Sequence, residues 1–79
     1  MPTLLLINGF RFFFYSNENN EPFHIHITKG SANAKIWLSP EVEIAYTHGF
    51  TNSEIRFIMK TINTHFINFK TKWDEHFNK

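Results

Sequence analysis

The chain of 79 residues contains no cysteine. A disulfide framework and a thiolate metal site are both excluded on that ground. Charge is sparse and balanced, with eight Lys and Arg against seven Asp and Glu and a formal net charge of +1. No block of like charge occurs, so a purely electrostatic grip on nucleic acid is not expected, although a local basic patch is compatible with the sequence. No apolar run approaches the length of a membrane span. The aliphatic run Leu4-Leu5-Leu6-Ile7 is too short for the core of a signal peptide and has no basic flank or cleavage site. The expectation is a soluble cytoplasmic protein with no membrane partner, and no cofactor is indicated.

What the chain has in abundance is aromatic mass: ten Phe, two Trp and two Tyr. A chain this short makes one domain. Such a domain buries only about 60% of the surface its unfolded chain exposes, which leaves its stability marginal. Each large aromatic buries about 150–250 Å² and so compensates for the short chain. Aromatics beyond what a small core can hold point to a surface that meets a partner.

Turn signals divide the first half into strands, predicted over about 3–7, 10–15, 23–29, 32–38 and 42–47. Asn8-Gly9 is a two-residue hairpin signal, because both positions tolerate positive φ. The second segment is dense in aromatics, which favour strands. Asn17-Glu18-Asn19-Asn20-Glu21-Pro22 is a polar turn cluster. Phe23-His24-Ile25-His26-Ile27-Thr28-Lys29 alternates strictly. Lys29-Gly30-Ser31 turns into the fourth segment, and Ser39-Pro40 ends it. In the fifth, Val42, Ile44 and Tyr46 alternate with Glu43, Ala45 and Thr47; the pattern reads as a strand, with a helical turn as its rival.

Thr51 with Glu54 makes a capping box. Beyond it, Ile55, Ile58, Ile62, Phe66, Phe69, Trp73 and Phe77 recur at spacings of three and four, within an arc of about 100°. The spacing predicts one amphipathic helix over about 52–77, with Phe57 pointing away from the stripe. A helix like this is unstable alone in water, so its stripe is expected to lie on the sheet. The fold class is α+β: an antiparallel sheet of four to five strands with one long C-terminal helix packed across one face.

Alternation sorts the strand side chains into two sets. Phe10, Phe12, Phe14, Phe23, Ile25, Ile27, Ala32, Ala34, Ile36 and Leu38 are the uniformly apolar set, expected in the core. Arg11, Phe13, Tyr15, His24, His26, Lys35 and Trp37 fall on the other face, expected to be open. Cations, imidazoles and large aromatics together suit stacking on the bases of single-stranded RNA with cationic contacts to phosphate. They equally suit a protein interface, where Tyr, Trp and Arg are enriched, self-association included. The bland reading is a small aromatic cluster under the polar loop.

His24 and His26 are the candidate catalytic pair, with rings about 7 Å apart on one side of a strand. One imidazole taking a proton and the other giving one would make a metal-independent, ribonuclease-like activity. Arg11 or Lys35 would hold the phosphate and Tyr15 would orient a proton donor. Metal ligation needs a third ligand, for which Glu18 and His48 are the candidates. A structural role, hydrogen-bonding across the sheet, is the alternative to both.

These residues also carry a family resemblance. Arg11-Phe12-Phe13-Phe14-Tyr15-Ser16-Asn17-Glu18 and Glu21-Pro22-Phe23-His24-Ile25-His26-Ile27 resemble the opening signature of the small bacterial proteins of domain-of-unknown-function family 4160. Ala34-Lys35-Ile36-Trp37-Leu38, Val42-Glu43-Ile44-Ala45-Tyr46, Gly49-Phe50 and Lys72-Trp73-Asp74-Glu75-His76-Phe77 continue the match. Phe23 stands where the family often has a second proline. The resemblance implies the toxin component of a type II toxin–antitoxin module, encoded beside a small antitoxin-like partner from family 2442. It carries Arg11, Tyr15, Ser16, Asn17, Glu18, His24, His26, Lys35 and Trp37 onto the family pattern. Asn17 and Glu18 thereby join Arg11, Phe13, Tyr15, Lys35 and Trp37 as candidate binding residues.

Overall fold

Two tight turns set the register of the sheet. Asn8 and Gly9 both take positive φ, 52° and 82°, the signature of the type I′ turn that matches the twist of a hairpin. In the next hairpin Lys29 pairs with Ala32, and only Gly30 of the two loop residues has positive φ, 61°. That pattern belongs to a type II′ turn. A computed structural model describes residues 3–15 and 20–77. It contains β1 (Thr3–Ile7), β2 (Phe10–Phe13), β3 (His24–Lys29), β4 (Ala32–Trp37), β5 (Glu43–His48) and α1 (Asn52–Phe77). The strands form one antiparallel sheet in the order β1-β2-β3-β4-β5, so the fold is α+β.

The strands are slightly shorter than the pattern predicts. β2 ends at Phe13 instead of continuing to residue 15, and β3 starts at His24 instead of Phe23. A backbone bond from Leu38 N–H to Phe23 O, 2.9 Å, carries the β3–β4 pairing one step past the strand ends. The ambiguous fifth segment is a strand, displaced by one residue to Glu43–His48.

Cross-strand partners share a face, and the pairs Phe12–Ile27, Ile27–Ala34 and Ile25–Ile36 assemble the apolar one. Phe10, Phe12, Phe14, Phe23, Ile25, Ile27, Ala34, Ile36 and Leu38 are all buried. Two irregularities interrupt the alternation. Between Lys35 and Ile36 the register shifts, so Lys35 meets Tyr46 while Ile36 meets Ile44. Ala45 is the extra residue of a β-bulge, and it sends Ile44 and Tyr46 to opposite faces. The strict alternation of Val42, Ile44 and Tyr46 fails there. A second shift, between Thr3 and Leu5, puts Thr3 opposite Phe13 and Leu5 opposite Phe12.

By compactness the chain divides into Met1–Gly49, which holds the sheet, and Phe50–Lys79, which holds the helix. The capping box forms in full: Thr51 N–H donates to Glu54 Oε1 at 2.9 Å, and Glu54 N–H donates to Thr51 Oγ1 at 3.1 Å. These bonds satisfy donors that the first helical turn leaves unpaired. Within α1, Ile58, Thr61, Ile62, Phe69 and Trp73 are buried, and Ile55, Phe66 and Phe77 are half-buried. Thr61 is a buried polar residue on this stripe, and its hydroxyl donates to Phe57 O at 2.8 Å. Phe57 itself is half-buried. Among the described residues no helix is long and apolar enough to cross a membrane.

Candidate functional site

The pairings that build the apolar face also build its opposite. Phe13 stands beside His26, His26 beside Lys35, and Lys35 beside Tyr46; Thr3 completes this row on β1. A neighbouring row joins His24 to Trp37 and Trp37 to Glu43. The sheet thus brings together Arg11, Phe13, Tyr15, His24, His26, Lys35 and Trp37, all of which the sequence assigns to one face.

Their rings are in mutual contact. Phe13 stacks on His26 at 5.6 Å, and Tyr15 meets both edge to face, at 5.2 Å from Phe13 and 4.8 Å from His26. His26 meets His24 at 5.2 Å, and His24 meets Trp37 at 5.2 Å. A cation covers each end. The Arg11 guanidinium lies 4.4 Å from the Phe13 ring centre, and Lys35 Nζ lies 4.3 Å from that of Trp37. Arg11 Nε–H also donates to Thr3 Oγ1 at 2.9 Å, which fixes its orientation. Cation–π contacts of this kind contribute about 0.5–2 kcal/mol each.

This face is less open than alternation predicts. His24 is 0% exposed and His26 8%, and Phe13 is buried with them. Aromatic neighbours on both adjoining strands cover the imidazoles. The two rings also lie closer together than the 7 Å of an ideal strand, because they tilt into an edge-to-face contact. Tyr15 remains 39% exposed, while Arg11, Lys35 and Trp37 are half-buried.

His24 Nδ1 lies 2.8 Å from Pro22 O. A carbonyl only accepts, so Nδ1 carries a hydrogen and donates it. Nε2 faces Glu21 Oε1 at 3.6 Å, and the same oxygen pairs with Lys35 Nζ at 3.0 Å. The Glu21 carboxylate thus pairs with Lys35 and lies against the edge of the His24 ring. The sequence gives no sign of this role, because Glu21 sits in the polar turn cluster and reaches Lys35 only through the β3–β4 pairing. Alternation likewise does not place Tyr46 and His48 beside the row. The bulge at Ala45 sets them opposite Lys35 and Asn33, with their rings 5.4 Å apart.

Of the remaining candidates, Asn17 and Glu18 lie outside the described residues, as does Ser16. Among the described residues no three His, Asp or Glu side chains come together as metal ligands, and His48 does not join His24 and His26 in such a group.

No curated protein and no solved structure matches the chain. The family model described as Domain of unknown function (DUF4160) matches residues 9–74. That span takes in every strand from β2 to β5, the ring row and nearly all of α1, and the chain belongs to this family.

Proposed function

We propose that the protein is a binding module that takes a small cognate protein on the face running from Arg11 to Trp37. The observation that carries this reading is the continuous ring row with a cation at each end. Tyr15, Trp37 and Arg11 are of the side-chain types that dominate protein interfaces. Buried Phe13, His24 and His26 brace them, so little side-chain freedom is lost on docking. The family resemblance supplies the candidate partner, the small protein of family 2442, and the candidate role, the toxin of a type II module. Burial of both imidazoles favours a bracing role over acid–base chemistry, since a general acid or base has to reach the proton it moves.

Co-purification with the neighbouring small protein tests the reading. A stable complex is expected, with affinity falling at least about tenfold in Trp37→Ala, as at an interface anchor. Absence of any complex overturns it. Expression in the native host, with and without that neighbour, tests the toxin role separately. Growth unaffected in both cases removes that role and leaves a binding module. RNA is the second reading, favoured by Arg11 and Lys35 beside stackable rings. It predicts single-stranded RNA binding that weakens steeply with salt.

A further inference from the structure

Beside the ring row lies a groove of 340 Å³ lined by Pro22, Trp37, Ser39, Pro40, Glu41 and Glu43. Its walls are mostly apolar: an indole and two proline rings. Pockets for whole ligands run from about 300 to 1,000 Å³, so this one sits at the lower limit and suits a single side chain. Its charge is one-sided. Glu41 and Glu43 are exposed, and neither carboxylate makes an ion pair or hydrogen bond with another described residue. Lys35, whose ammonium lies over the Trp37 ring, is engaged by Glu21 at 3.0 Å. Trp37 already holds that ammonium against its ring, which shows the indole to be placed for a cation.

We infer that this groove receives an arginine side chain of the protein partner. The source of the arginine rests on the protein-binding reading above; the chemistry of the groove does not. A guanidinium is planar, stacks on indole and proline rings, and presents several donors in a fixed fork. Two carboxylates lining the groove offer acceptors to that fork, and the aromatic wall shields one side of it from water. An ammonium is a compact, strongly hydrated charge that gains less from a flat wall, so lysine binds more weakly.

The test uses the full chain labelled for NMR and two blocked tripeptides, acetyl-Gly-Arg-Gly-amide and its citrulline counterpart, which is uncharged and of nearly the same shape. The arginine peptide is expected to shift the Trp37 indole N–H signal together with the Glu41 and Glu43 amides, leaving the Trp73 indole unmoved. The citrulline peptide should bind at least fivefold more weakly. Glu41→Gln with Glu43→Gln should abolish that preference; both side chains are exposed, and an unchanged spectrum elsewhere verifies the fold. Equal shifts with the two peptides, or none, overturn the inference. In a second arm the same double variant is mixed with the partner protein. Undiminished binding there overturns the arginine site while the binding module stands. Failure of the wild-type chain to bind the partner removes the module, and the peptide arm still decides the groove.

Discussion

The rings of His24 and Trp37 meet edge to face, 5.2 Å apart and 71° between planes, from directly paired positions on β3 and β4. One member is fully buried and the other half-buried, so this pair couples the interior of the sheet to the proposed docking surface. His24 is held in this position by shape and by one hydrogen bond, to Pro22 O, and the two are separable by mutation.

In His24→Phe the ring remains but the bond from Nδ1 to Pro22 O is lost. Pro22 is exposed, so water can replace the lost donor and the cost is about 0.5–1.5 kcal/mol. In His24→Ala the ring goes as well, and truncation of a buried ring costs about 3 kcal/mol or more. Urea unfolding should give that order, with the midpoint moving and the slope unchanged. If partner binding survives in His24→Phe, a bracing role is supported; if it is lost while the fold is intact, the imidazole itself is needed.

Gly49 has φ +85°, and a Cβ there would stand 3.2 Å from both the Cα and the Cβ of Ala32. Gly49→Ala combines left-handed strain of about 1–2 kcal/mol with a tight contact. Gly30→Ala is the control, since its φ is +61° but nothing lies within 4 Å. The Gly49 variant should be the less stable of the two by thermal melting.

The capping box gives a local prediction. Thr51→Ala removes the acceptor for Glu54 N–H and should destabilise the helix by about 1 kcal/mol. Thr51→Ser should restore most of it. Amide exchange in the first turn of α1 should speed up more than exchange in its middle.

Glu21→Gln leaves Lys35 without its carboxylate partner, now 3.0 Å away. With Glu21 44% exposed, the pair contributes no more than about 1 kcal/mol, screened by salt. The difference between wild type and variant should shrink in 1 M salt, a concentration at which the Debye length is about 3 Å.

Much of this architecture could be read from particular residues. Asn8-Gly9 announced its hairpin because positive φ at two adjacent positions needs such residues. The alternation from Phe23 to Lys29 announced β3, and Thr51 with Glu54 announced the start of α1. All of these are local signals. The failures are places where one residue changes the register. Ala45 looks like any other strand residue, yet as the bulge it moves Tyr46 to the side of Lys35. The contact between Glu21 and Lys35 spans 14 positions and depends on a turn as well as a strand pairing. Burial of His24 and His26 was illegible for a related reason. Alternation tells which face a side chain takes, whereas its cover comes from neighbours on other strands.

Both outer strands of the sheet carry one of the two register shifts, β1 between Thr3 and Leu5 and β5 opposite Lys35 and Ile36. The regular ladder is thereby broken between Thr3 and Leu5 at one rim and between Ile44 and Tyr46 at the other. Both rims show apolar side chains, Leu6 at 70% exposure on one and Ile44 at 40% on the other. A straight, unbroken rim with such residues would invite other chains to add strands without limit. The kinks oppose that polymerisation. They let a chain this rich in phenylalanine show apolar side chains at its margins without offering a straight rim to a neighbour's strand.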